Sequence, residues 1–180
     1  LVYQDSSVTL TNVTATYNVS TGIEIGRSEL ATITKSVADH NGFQGISVVG
    51  EGAGTVGVSG SYARNNGDAG IVLLSAYDND APTRASSVSS TVASWNGNDG
   101  FVISYSGFLT LTGNTITANG YNGLGVRVYN RASYGAATQI VTLSNNTVSA
   151  NGRSGTSFYA RNWASTYGSS KTATQNLTLT

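Results

Sequence analysis

The sequence has no cysteine and no methionine, one proline (Pro82), one histidine (His40) and only 10% charged residues. Each shortage removes a class of protein. Without cysteine there are no disulfides, thiolate metal sites or thiol nucleophiles. Nine basic residues balance nine acidic ones, so no basic field exists to hold nucleic acid. No apolar run approaches the roughly 18 residues of a membrane-spanning helix. Hydrophobic residues still make up 39% of the 180 positions, too many for a disordered chain and enough for one domain with a sizeable core. Gly, Ser, Thr and Asn fill about half of the chain, a mixture suited to short strands and tight turns and poor in helix formers.

What is present is a repeat. Asn-x-x-x-Gly recurs six times, pairing Asn18 with Gly22, Asn41 with Gly45, Asn66 with Gly70, Asn96 with Gly100, Asn119 with Gly123 and Asn151 with Gly155, and an apolar residue follows in all but the last, where Thr156 stands. Eight residues before each Asn stands an aliphatic residue: Leu10, Ile33, Val58, Val88, Leu111 and Leu143. Ten before it are Val8, Ala31, Val56, Ser86, Leu109 and Val141, and three before it Ala15, Ala38, Ala63, Ala93, Ile116 and Val148. Past each Gly an alternation resumes, as in Ile23-Glu24-Ile25, Ile46-Ser47-Val48 and Phe101-Val102-Ile103. Period-two apolar positions on both sides of a turn mean short strands with one buried face. The Asn-to-Asn spacings are 23, 25, 30, 23 and 32 residues. A unit of that size cannot bury its own face, but stacked copies can.

These features predict an all-β parallel β-helix of about seven coils, a single domain over residues 1–180. At the roughly 4.8 Å spacing of neighbouring strands it makes a rod on the order of 35 Å long. The corner is expected to use Asn and Gly for positive φ, with Asn side chains stacked and hydrogen-bonded from coil to coil. Ser36-Val37-Ala38-Asp39-His40-Asn41-Gly42-Phe43-Gln44-Gly45-Ile46 resembles the right-handed parallel β-helix repeat of the pectate-lyase-like superfamily, and so does the stretch from Gly113 to Leu124. The right-handedness is what that resemblance implies. Lyases, hydrolases, epimerases, tailspikes, adhesins and surface-layer proteins share the fold, so it leaves the chemistry open.

Candidate chemistry is thin. His40 occupies a repeat position that elsewhere holds Tyr17, Asn65, Trp95, Ala118 and Ala150, the scatter of a solvent-facing site. Asp68 and Asp99 fall inside the corner, where a turn role suffices. Asp78-Asn79-Asp80 lacks the glycine and distal Glu of a calcium loop. Val92 to Phe101 looks similar to coils of alginate epimerase modules, but their Asp-Pro-His segment is missing, since Pro82 lies in Ala81-Pro82-Thr83. No catalytic residue, metal site or cofactor is therefore assigned.

Surplus length over a minimal coil falls at about 76–84, 129–139 and 160–175, read as three loops leaving one corner. Two of them echo each other: Asn130 to Gln139 resembles Asn162 to Gln175. Acids outnumber bases six to three before residue 77 and the ratio reverses from residue 77 on, where seven of ten Tyr and both Trp also lie. Arg127, Tyr129, Arg131, Tyr159, Arg161 and Trp163 are candidates for binding an acidic extracellular glycan by charge and ring stacking.

The first ladder residue is Val8, and Leu177 and Leu179 begin a coil whose Asn would lie beyond Thr180. The chain thus reads as a segment of something longer, its ends covered by more chain, by end-to-end self-association or by a partner. The leading expectation is a non-enzymatic structural protein at a bacterial or archaeal cell surface: a segment of a surface fibre, adhesin stalk or sheath-like filament. The alternative is a polysaccharide-active enzyme of lyase or epimerase type, or a glycan-binding module, using the loop face 76–175. An enzyme should bring two of Asp78, Asp80 and Asp99 near Arg84 or Arg127.

Overall fold

In a computed structural model, residues 1–3, 7–75, 85–105, 107–132, 137–164 and 173–180 are described. Of these, residues 3, 50–54, 75, 129–132, 137, 138, 162–164, 173 and 175 are described by their backbone. Asp78, Asp80 and Arg84, expected near a cleft in an enzyme, lie outside the described residues.

The chain winds through three strand faces per coil, and every strand pair is parallel. The first face stacks Val2–Tyr3, the opening halves of Ile23–Thr34 and Ile46–Ser59, then Ile71–Ser75, Phe101–Tyr105, Leu124–Ala132 and Thr156–Ala164. The second stacks Ser7–Thr11, the closing halves of the same two long strands, then Ala85–Ser89, Phe108–Thr112, Ala137–Ser144 and Ala173–Leu179. The third stacks six three-residue strands, from Thr14–Thr16 to Thr147–Ser149. Among the described residues there is no helix. Seven rungs on two faces and six on the third are consistent with about seven coils.

The columns inferred from spacing are the interior. Ile23, Ile46, Ile71, Phe101 and Leu124 are in register and buried, as are Ile33, Val58, Val88, Leu111 and Leu143. Ala38, Ala63, Ala93 and Ile116 line the third face. Because like stacks on like at one strand spacing, each coil is the template for the next, and burial of these aliphatic side chains at about 25 cal/mol per Å² is the main driving force. One buried member of these apolar columns is polar. Ser86 is buried where others are aliphatic, and its hydroxyl meets the Tyr105 hydroxyl at 2.7 Å while accepting the Val56 N–H at 2.8 Å.

Two sequence expectations need correction. Positive φ does not fall on the corner Asn or Gly. It falls on the residue before the Asn: Tyr17 (56°), His40 (55°), Asn65 (52°), Trp95 (59°), Ala118 (56°) and Ala150 (54°). The Asn must point inward to stack, so the chain reverses one residue earlier, whatever side chain stands there. An L-residue in that region costs on the order of 1–2 kcal/mol, which the ladder of hydrogen bonds that follows offsets. Second, much of the segments 129–139 and 160–175 is strand, not loop. Leu124–Ala132 pairs with Thr156–Ala164 as far as Ala132 opposite Ala164, and Gln139 lies opposite Gln175. The echo between the two segments is thus a strand register. The expectation of a loop at 76–84 falls on residues outside the described ones.

Candidate functional site

The corner from the third face to the first is a column of side-chain amides. Nδ2 of Asn18, Asn41, Asn66, Asn96 and Asn119 each donates to Oδ1 of the Asn in the following coil, at 2.8, 2.9, 2.9, 2.8 and 2.9 Å. The same Oδ1 atoms accept the backbone N–H of the preceding Asn at 3.0–3.2 Å. The second Nδ2 hydrogen of Asn41, Asn66, Asn96, Asn119 and Asn151 reaches back to a third-face carbonyl of the preceding coil, such as Ala63 O at 3.0 Å for Asn96. Only an amide supplies an acceptor and two donors in one plane. Asn41, Asn66, Asn96 and Asn119 are each 2% exposed, so a full set of partners is required of them.

The glycines serve this ladder sterically. A Cβ on Gly70 would lie 2.6 Å from Asn96 Nδ2 and 2.8 Å from Gly100 O, and Gly22, Gly45, Gly100 and Gly123 face the same obstacles in their own following coils. Gly155 differs, its nearest atom being Val148 Cγ1 at 3.9 Å. A second glycine column was not singled out from the sequence although its signal is plain: Gly42, Gly67, Gly97, Gly120 and Gly152 each follow a ladder Asn. A Cβ there would come under 3.0 Å from a carbonyl oxygen of the preceding coil. Also missed is a polar ladder at the opposite corner. Val13, Ser36, Ser61, Thr91 and Asn114 donate their N–H to the side-chain oxygens of Ser36, Ser61, Thr91, Asn114 and Asn146 in turn. Ser, Thr and Asn alternate in it, so no single residue type repeats.

Outside the Asn corner two exposed rings stack. Tyr17 stacks on His40 with ring centroids 5.0 Å apart. His40 Nδ1 lies 2.8 Å from Asp39 Oδ1, and Arg64 Nε lies 3.1 Å from Asp39 Oδ2. Burial of the Asp39 carboxyl raises its pKa. The hydrogen bond from Asn65 Nδ2 at 3.0 Å and the charges of Arg64 and His40 outweigh that and hold it below its usual value. Asp68 and Asp99 act as corner bridges: Asp68 accepts from Asn98 Nδ2 at 3.1 Å, and Asp99 accepts the Asn122 N–H at 2.9 Å.

The glycan candidates fall on two adjacent strands of the first face. The register sets Arg127 opposite Tyr159, Tyr129 opposite Arg161 and Arg131 opposite Trp163, so cationic and aromatic positions alternate along and across two adjacent strands. Arg127, Tyr159 and Arg161 are exposed. Arg127 and Tyr159 line a shallow cleft of about 70 Å³ with Asp99, Asn122 and Ser157. Asp99 is the one carboxylate of the described residues in that cleft. Among the described residues no three of His, Cys, Asp and Glu gather as metal ligands.

A family model described as "right handed beta helix region" matches residues 1–165. No curated protein and no solved structure matches the chain.

Proposed function

Since the chain belongs to the right-handed β-helix family, we propose that it is a non-enzymatic extracellular structural protein. It forms a segment of a surface fibre, adhesin stalk or sheath-like filament of a bacterium or archaeon, whose ladders are continued by further coils of the same chain or of another subunit. The observation that carries this reading is the Asn column, in which each amide is satisfied by the coil before it and the coil after it. Such a column makes length without a change of cross-section, which is what a stalk or filament requires. The lack of cysteine and methionine suits exposure to oxidants. Cryo-electron microscopy of native material tests the reading. Continuous rods with strand-spaced density through the subunit boundary support it; discrete monomers capped at both ends by their own chain refute it.

A second reading is favoured by the alternation of Arg and aromatic positions on the first face: a binding surface for acidic extracellular polysaccharide. A flat strand pair offers guanidinium groups to carboxylates and ring faces to sugar rings. Retention on an immobilised uronic-acid polymer should fall when Arg127→Ala or Tyr159→Ala is introduced, and should weaken with salt for the wild type. Retention unchanged in both variants rules this surface out.

A further inference from the structure

Asn-Gly is the dipeptide in which a side-chain amide is most open to attack by its own backbone, because the residue that follows has no Cβ to hinder the approach. The sequence holds six such pairs, and five of them start at the ladder residues Asn41, Asn66, Asn96, Asn119 and Asn151. In Asn41, Asn66, Asn96 and Asn119, Oδ1 is taken by the coil before and Nδ2 is held between the coil before and the coil after. The sixth pair, Asn122-Gly123, stands outside the ladder, at a position that holds Thr21, Gln44, Ala69, Asp99 and Ser154 in the other coils. Asn122 is half-buried and lines the shallow cleft with Asp99, Arg127, Ser157 and Tyr159. Its main chain is fixed, the N–H donating to Asp99 Oδ1 at 2.9 Å and the carbonyl accepting the Gly100 N–H at 2.9 Å. Among the described residues nothing is hydrogen-bonded to its side-chain amide. The attacking nitrogen does not distinguish the pairs: the Gly123 N–H donates to Ser154 O at 2.8 Å, and those of Gly42, Gly67, Gly97, Gly120 and Gly152 donate to Asn carbonyls at 2.7–2.8 Å. What differs is the amide under attack.

We infer that Asn122 is a self-modification site: in the folded protein its amide converts to a carboxylate while the ladder amides stay intact, and the conversion weakens the hold of the cleft on an acidic polymer. The Gly123 nitrogen attacks Asn122 Cγ; the N–Cγ bond forms, the Cγ–Nδ2 bond breaks, and ammonia leaves, the proton of the Gly123 N–H being passed to it through solvent. Water then opens the five-membered imide at one of its two carbonyls, leaving aspartate or isoaspartate. The glycine cannot be traded away to prevent this, since a Cβ at Gly123 would lie 2.5 Å from Asn151 Nδ2 and 2.7 Å from Gly155 O. The product is a second carboxylate beside Asp99, in a cleft where Arg127 faced one. Like charges at that distance disfavour each other and any further anion. The effect on binding rests on the glycan reading above; the site of conversion does not.

The folded 180-residue chain, aged in mildly alkaline buffer and then digested, tests the site, with fragmentation mass spectrometry placing each amide-to-acid conversion. Asn122 should convert at least about tenfold faster than any of Asn41, Asn66, Asn96 and Asn119, each of which must first give up its ladder bonds. In denaturing urea the five should convert at similar rates. A ladder Asn converting as fast as Asn122 in the folded chain, or Asn122 staying as inert as they do, overturns the inference. Asn122→Gln, whose longer side chain closes the ring poorly and whose fold circular dichroism checks, should lose the more acidic species that the wild type builds up on anion exchange. Persistence of that species also overturns the inference. Asn122→Asp presents the end product and should be retained less than fresh wild type on the immobilised uronic-acid polymer; equal retention overturns the effect on binding. A wild type that is not retained at all refutes the glycan reading, and with it that effect, while the peptide map still decides the site.

Discussion

Replacing Asn96 by alanine tests the corner ladder where it is best enclosed. The Asn96 side chain makes four hydrogen bonds: it accepts from the N–H and the Nδ2 of Asn66 at 3.1 and 2.9 Å, and donates to Asn119 Oδ1 at 2.8 Å and Ala63 O at 3.0 Å. Asn119 Oδ1 keeps a partner in the Asn96 N–H at 3.1 Å. The Asn66 N–H is left with none and Asn66 Nδ2 keeps only its bond to Ala38 O at 3.1 Å, so two N–H bonds are lost, and Asn66 is 2% exposed, so water cannot replace them. At about 1–3 kcal/mol for each buried group left unsatisfied, the loss is about 4 kcal/mol, a large part of the 5–15 kcal/mol that holds an ordinary domain together. For a chain of this size it lowers the melting temperature by on the order of 10 °C. Asn98→Ala is the control, two residues on, since its bond to Asp68 at 3.1 Å is exposed; it should cost under about 0.5 kcal/mol. Urea unfolding followed by far-ultraviolet circular dichroism measures both. If Asn96→Ala falls within about 0.5 kcal/mol of Asn98→Ala, the amide column is not what holds the corner.

Two further outcomes follow from the same geometry. Gly70→Ala should destabilise by several-fold more than its propensity gain returns, because its Cβ meets Asn96 Nδ2 and Gly100 O, whereas Gly57→Ala, with nothing within 4 Å of its Cβ, should be neutral or stabilising by about 0.5–1 kcal/mol; paired thermal melts compare them. Asp39 has its folded pKa below the unfolded value, so its contribution is present above the unfolded carboxylate pKa, near 3.8, and is lost as pH falls through the lower folded value. Acid titration of stability should show that loss in the wild type, and Asp39→Asn should flatten it; an unchanged acid limb refutes the assignment.

The parts of the fold that were legible in the sequence are those where one residue type recurs at one place in the coil. Asn41 stacks on Asn66 and Ile46 on Ile71, so the identities repeat and the spacing shows through insertions. The position of positive φ was not legible, because it falls on Tyr17, Trp95, Ala118 and Ala150, residues that no turn preference nominates. Backbone strain there is imposed by the inward Asn that follows. The strands around residues 129–132 and 160–164 were hidden for a different reason. The run Tyr129-Asn130-Arg131 carries no apolar alternation, and neither does Arg161-Asn162-Trp163, so the period-two pattern that betrays a strand is missing there. Of the binding candidates, the sequence supplied the six residues but not their pairing, which depends on a register between segments 32 residues apart. Gly42, Gly67, Gly97, Gly120 and Gly152 were in plain view, but the carbonyl of the preceding coil that demands them appears only once the coils are stacked.

The bonds of the amide column run from coil to coil, along the length of the rod. A pull along that length therefore loads the coil interfaces in series, each bearing the whole force. Extension should proceed by parting at the weakest interface and not by sharing strain evenly, and the side-chain link from Ser61 N–H to Thr91 Oγ1, at 3.4 Å the longest in its ladder, marks one place where that column has least to give up. A sideways push, by contrast, is resisted by several coils at once. Loads along and across the rod thus meet different limits, set respectively by its poorest rung and by the sum of its rungs.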